Sequence, residues 1–218
     1  MEDRAAQLLR ESVLNEMATG NHADAVAGFA RHYTGAEVGA FLAAITSHRT
    51  AFLSPPTVDD LARTFDIPSS LTLSGLISSI ARPDDLNMIQ RLIPICLISG
   101  TNDQKAATKL RNINCTAHPD MADLAIMEDV FLFGKEAKKP YCAKINSFPT
   151  NAIRTANPHL IDELNDLMQR VENARDTRWS WLALEKTRAL FAFATPFVQE
   201  YEKKKVQRAA LDFDDLIS

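Results

Sequence analysis

Between Gly134 and Arg154 the chain sets five cations, Lys135, Lys138, Lys139, Lys144 and Arg154, against a single acid, Glu136. Clustered cations on an exposed element neutralise a phosphate backbone by charge rather than by reading bases. The competing reading is a solvated, lysine-rich turn that blunts a strand edge. Near the other end, Leu211-Asp212-Phe213-Asp214-Asp215-Leu216-Ile217 places three carboxylates between apolar anchors, in the pattern of a starting amphipathic helix. Nothing after Ser218 uses those acids, so the expectation is a segment of a larger chain. A second basic cluster, Lys203-Lys204-Lys205 with Arg208, falls at a helix end, where it complements the helix dipole.

Other chemistries find little purchase. Gly100-Thr101-Asn102-Asp103-Gln104-Lys105 lacks the second glycine and the Lys-Ser/Thr pair of a phosphate loop, and reads as a capping box at Thr101. Cys115 and His118 have local zinc spacing, but no second ligand pair follows, so no metal site is expected. There is no Gly-x-Ser-x-Gly elbow and no cysteine in a catalytic setting. The carboxylate pairs Asp59-Asp60 and Asp84-Asp85 fall in first helical turns, where they complement helix dipoles.

The elements that must position these residues are mainly helical. With 218 residues, 46% hydrophobic, 24% charged and only 7 Gly, the composition favours helix and suffices for one large core or two modest ones. Net charge is −4, which argues against a nucleic-acid-coating protein but permits a local basic patch. No long apolar run predicts a membrane span, and Met1-Glu2-Asp3-Arg4 does not open a secretory signal. Cys96, Cys115 and Cys142 are few and scattered, as in a reducing, cytoplasmic setting.

Helical spacing of Leu8, Leu9, Val13, Leu14 and Met17 ends at Gly20-Asn21. Thr34-Gly35-Ala36-Glu37 reads as a capping box opening a helix with Val38, Phe41, Leu42 and Ile45, which ends before the Ser54-Pro55-Pro56 turn. Further helices are predicted from Thr57, from Pro83 (with Pro94 as a kink) and after Pro119. Val130–Phe133 and Tyr141–Ile145 read as a small hairpin around the basic loop. Leu160, Ile161, Leu164, Leu167, Met168 and Val171 form one stripe, and Trp181, Leu184, Phe191 and Val198 another. A turn near Asp176 would fold these into a long antiparallel pair, the second helix kinked or split at Pro196. The expected divisions are 1–129 helical, 130–156 hairpin and basic loop, 157–208 helix pair, and 209–218 the start of a further element.

Tyr201-Glu202-Lys203-Lys204-Lys205, Arg208 and Leu211–Ile217 together closely resemble a segment of UvrD/Rep-type DNA helicases, where an inserted accessory subdomain, 1B, returns into the first motor domain. Val130–Lys135, Lys144 and Asn157-Pro158 are similar to a stretch of AddA-type helicase-nucleases, and the opening Glu2–Glu11 to the region after their early helicase motifs. Most of the chain is covered. The threonine and arginine usual in the hairpin stretch are replaced near Phe133 and Pro140, and Pro196 interrupts a helix otherwise unbroken. The phosphate-loop lysine, the metal-binding acid motif and the nuclease motif are absent, so the segment itself would neither hydrolyse ATP nor cut DNA.

The resemblance implies a mainly α accessory subdomain of an AddA-like subunit. Its parent would use ATP and Mg2+ to unwind DNA ends in double-strand break repair and recombination, with an AddB-like partner. The segment would hold no cofactor of its own. Lys135, Lys138, Lys139, Lys144 and Arg154 would contact phosphates of duplex or forked DNA. Phe213, Leu216 and Ile217 would pack into the motor domain, with Asp212, Asp214 and Asp215 capping or pairing across that interface rather than catalysing. The rival reading is a helical scaffold that docks a partner subunit and never touches DNA.

Overall fold

Among residues 3–33, 37–68, 70–115 and 118–207, which the computed structural model describes, eleven helices carry nearly all the regular structure. They are α1 (Asp3–Thr19), α2 (Ala23–His32), α3 (Val38–Ser47), α4 (Thr50–Leu53), α5 (Val58–Thr64), α6 (Leu73–Ile80), α7 (Pro83–Leu97), α8 (Thr101–Leu110), α9 (Met121–Phe131), α10 (Asn151–Ala156) and α11 (Pro158–Gln207). The chain divides into two compact units. Ser70–Trp179 is one, and the flanking stretches Met1–Ser69 and Ser180–Ser218 make the other. This division differs from the one expected at 129 and 156. Punctuation in a sequence marks where elements end, whereas a unit is defined by which elements share a core.

In the flanking unit, α1 buries Leu9, Val13 and Met17, four residues apart on one face. They join Phe29, Leu42, Ile45 and Phe52 around Phe193, Ala194, Phe197, Val198 and Tyr201 of α11. The aromatic contacts are close: Phe29 stacks on Phe193 with ring centres 4.3 Å apart. Thr57 and Asp60 form the capping box that opens α5.

In the central unit, Leu160, Ile161, Leu164, Leu167, Met168 and Val171 are all buried, as the stripe predicts. Each fully buried side chain of this size contributes roughly 1.5–3 kcal/mol. Ile89, Leu92 and Cys96 supply a fully buried face of α7, which starts with Pro83 in its first turn and runs on through Pro94. Three buried aspartates stand at the starts of helices here. Asp85 accepts from the Arg82 amide at 2.6 Å, Asp123 from Asp120 and Asn114 amides at 3.0 and 3.1 Å, and Asp103 from the Thr150 amide at 3.1 Å.

Four local expectations are corrected. The antiparallel pair does not form, because α11 is one helix of 50 residues that passes through Asp176 and Pro196 without breaking. Residues 171–181 hold neither Gly nor Pro, and the gap between the two apolar stripes marks a change of partner, not a turn. The hairpin is reduced to an isolated antiparallel bridge, Leu132 to Ala143, since Val130 and Phe131 are the last residues of α9. Thr101 is not the cap: Gly100 holds that position before α8, and Gln104, the expected partner in the box, donates through Nε2 to the Ser99 carbonyl at 2.8 Å. Finally, the helix expected from Glu37 to the Ser54 turn is two, α3 and α4. The box residues Thr34–Ala36 lie outside the described residues, as does the motif Leu211–Ile217 with its expected interface residues Asp212, Phe213, Asp214, Asp215, Leu216 and Ile217.

Candidate nucleic-acid interface

The basic stretch hangs from the end of α9, so the ends of that helix fix where it starts. Asp120 caps α9 through the Ala122 and Asp123 amides, at 2.7 and 2.9 Å, in a full capping box. Beyond Phe131 the chain leaves and returns through a pinned neck. The Phe133 amide donates to the Cys142 carbonyl at 2.9 Å, Tyr141 to Phe133 at 3.0 Å and Lys144 to Phe131 at 2.9 Å. Glu172 of α11 accepts the Ala143 amide at 3.0 Å. Inside the neck, the Ala137 amide donates to the Gly134 carbonyl at 3.1 Å and closes a tight turn.

The five predicted cations separate into two groups. Lys135, Lys138 and Lys139 sit on the turn, exposed, and none is ion-paired among the described residues. Lys144 points inward: its Nζ donates to the Val130 carbonyl at 2.6 Å, satisfying an orphan group at the C-terminal end of α9. Burial pushes the Lys144 amine below its usual pKa, with Lys109 adding to the shift and Asp129 opposing it. Arg154 is half-buried on α10, where Nη2 reaches Asn151 at 3.3 Å and Nε is buried without a partner. The structure therefore gathers three of the five on one exposed turn and holds the other two in local packing.

The second basic cluster is neutralised. Lys203 pairs with Glu200 at 3.5 Å, Lys204 with Glu16, and Lys205 with Glu202 at 3.3 Å. Arg208 lies outside the described residues. No family model matches the chain, and neither a curated protein nor a solved structure does. The charge geometry of the α9–α10 loop is accordingly the feature with the clearest functional content.

The sequence did not reveal what lies beside that loop. Tyr141 adopts a left-handed backbone conformation, φ 60°, at the return of the loop. Its ring faces the Arg175 guanidinium of α11, whose central carbon stands 3.7 Å from the ring centre. The same guanidinium lies 5.9 Å from the Trp179 ring centre, and Arg178 lies 4.9 Å from it. Arg178 itself is buried and donates to Glu128 through Nε and Nη2, the latter to Oε2 at 2.6 Å. Only the four-residue spacing of Arg175 and Trp179 could have hinted at this cluster.

Elsewhere, a cleft of about 400 Å³ between α7 and α11 is lined by Arg82, Asp84, Arg91, Glu163, Asp166 and Arg170. Its charges are mixed and largely paired: Arg170 with Asp85, Arg91 with Glu163. Among the described residues no group of three or more His, Cys, Asp or Glu side chains is placed to hold a metal ion, and no helix is long and apolar enough to cross a membrane. The Cys96 thiol is fully buried, and burial followed by the charge of Asp103 pushes its pKa up to about 12. Burial and then Asp123 raise that of Cys115, against a hydrogen bond from Gln90.

Proposed function

We propose that this chain is the mainly helical, 1B-like accessory segment of an AddA-like subunit in a cytoplasmic UvrD/Rep-type helicase. The parent would unwind broken DNA ends with ATP and Mg2+ for recombinational repair, working with a nuclease activity and an AddB-like subunit. The segment engages DNA near the duplex junction and performs no catalysis. One observation carries the reading: Lys135, Lys138 and Lys139 project from a pinned loop with no acid paired to them, while the Lys203–Lys205 cluster is paired. Such a loop tracks phosphates through charge. The motif Leu211–Ile217 supports the family assignment through its resemblance alone.

Binding of the chain to forked DNA across a salt series tests this. Each phosphate neutralised contributes about 0.9 to the slope of log K against log salt. Lys135→Glu, Lys138→Glu and Lys139→Glu together should reduce the slope by roughly 2–3 and weaken binding sharply. Unchanged affinity and slope would defeat the lysine reading and favour the docking scaffold. The family assignment has its own check: its reading frame should continue past Ser218, and a stop codon there sinks it.

A further inference from the structure

We infer that Trp179 and Tyr141, bridged by Arg175, form a stacking platform for unpaired bases of single-stranded DNA, with Lys135, Lys138 and Lys139 holding the adjoining phosphates. This rests on the reading of the chain as a DNA-engaging segment and adds the class of strand it takes. Trp179 is 50% exposed, whereas Trp181, two residues on, is 8% exposed and packed. Tyr141 is 37% exposed although its backbone is held at φ 60°. Both rings meet one guanidinium, Arg175, so their faces are fixed before any ligand arrives. Preorganised aromatic faces lower the ordering cost of binding.

The loop that ends at Tyr141 is net positive, while on α11 Asp176 pairs with Arg175, and Glu172 accepts the Ala143 amide. Three free lysines stand in the loop that Tyr141 closes, against Glu136 alone. Arg175 is paired with Asp176 at 3.2 Å, so the excess positive charge beside the rings comes from the three lysines and not from Arg175. Aromatic faces interleaved with cations suit single strands, whose bases offer π-faces and whose backbone offers phosphates. In an intact duplex the base faces are already stacked and only phosphates remain for the lysines. An acidic peptide would likewise satisfy the lysines and leave both rings idle. The alternative role of Trp179 is to cover the buried Arg178–Glu128 pair from water, which affects stability and not binding.

The test uses the whole chain with three probes: an oligothymidylate of roughly ten nucleotides, a blunt linear duplex and poly-glutamate. In a Trp181→Phe background, oligothymidylate should quench the emission of Trp179. Trp179→Ala and Tyr141→Ala should each weaken oligothymidylate binding by about fivefold or more, with Trp179→Phe restoring most of it. Duplex affinity should not respond to either ring. If the duplex is held through the lysines while both ring variants bind oligothymidylate normally, the platform is overturned and the lysine reading stands. If poly-glutamate binds as tightly as oligothymidylate and is equally indifferent to the rings, the site is a charge patch and the platform again fails. If no DNA binds, both readings fall. Tyr141→Ala and the quenching measurement keep the test intact should Trp179→Ala prove unfolded by circular dichroism.

Discussion

Two ion pairs join the same two helices in the central unit and differ mainly in burial, so they isolate what burial does to a charge. Arg170 of α11 reaches Asp85 of α7 with Nη2 at 2.6 Å from both carboxylate oxygens, and its Nε donates to the Ile80 carbonyl at 3.0 Å. The two side chains are 18% and 11% exposed. Arg91 of α7 reaches Glu163 of α11 at 2.5 Å, but those side chains are 57% and 49% exposed. Arg170→Met leaves a buried carboxylate with only the Arg82 amide as partner, and also strands the Ile80 carbonyl at the end of α6. Removing one member of a buried pair costs about 3–5 kcal/mol. Arg91→Met leaves Glu163 in water and should cost less than about 1 kcal/mol. Urea unfolding followed by helical ellipticity measures both, with the slope checked because a chain of two units need not unfold in one step. Adding Asp85→Asn to Arg170→Met should recover part of the loss, since the amide oxygen still accepts from the Arg82 amide while the buried charge is gone. Equal losses for the two arginine variants, or no recovery in the double variant, would refute the reasoning.

Lys144 gives a pH prediction. Its folded pKa is held below the unfolded 10.5, so between the two values the unfolded chain binds more protons and stability rises with pH. Below that interval the charged, half-buried amine is a fixed burden. Urea midpoints at rising alkaline pH should therefore climb more, or fall less, in the wild type than in Lys144→Met; a parallel response in the two sinks the assignment. Cys96 gives a reactivity prediction. With its pKa pushed up to about 12 and no exposed surface, its thiol should resist iodoacetamide in the native chain and react once urea unfolds it. Native labelling of Cys96 as fast as that of Cys115 and Cys142 would count against the packing of α7.

Legibility in the sequence followed interaction range. Periodicity and caps, which act within a turn or two, identified α1, α7, α9 and the buried stripe of α11 from Leu160 to Val171. The assembly of elements was not legible. Phe193 and Phe197 pack with Leu9 and Phe29, more than 160 positions away, and nothing local in either segment announces the other. The missed continuity of α11 has the same origin. Its polar interval holds Arg178, which is buried and whose partner Glu128 lies 50 residues upstream, so a charge that reads as solvent-facing is part of a core. The hairpin failed for a local reason: Val130–Phe133 is apolar enough for either structure, and the capped helix entering from Asp120 claims its first half. At the candidate site, the run of cations was plain, but Lys144 was indistinguishable from its neighbours until Val130 supplied a carbonyl for it.

A basic cluster in a sequence is a statement about composition, and only the acids facing it decide whether charge remains for a partner. Lys203, Lys204 and Lys205 form the densest run in the chain, yet each has a glutamate. On α11 in the central unit, Arg170 and Arg178 are committed to Asp85 and Glu128, and Arg175 lies against a ring. Within the basic stretch from Gly134 to Arg154, only Lys135, Lys138 and Lys139 combine an exposed side chain with freedom from ion pairs among the described residues. Because these three contribute to no core contact, their reversal should alter binding without unfolding the unit, while Arg170→Met should do the opposite. That separation is the physical content of assigning the loop, rather than the helix that supports it, as the interface.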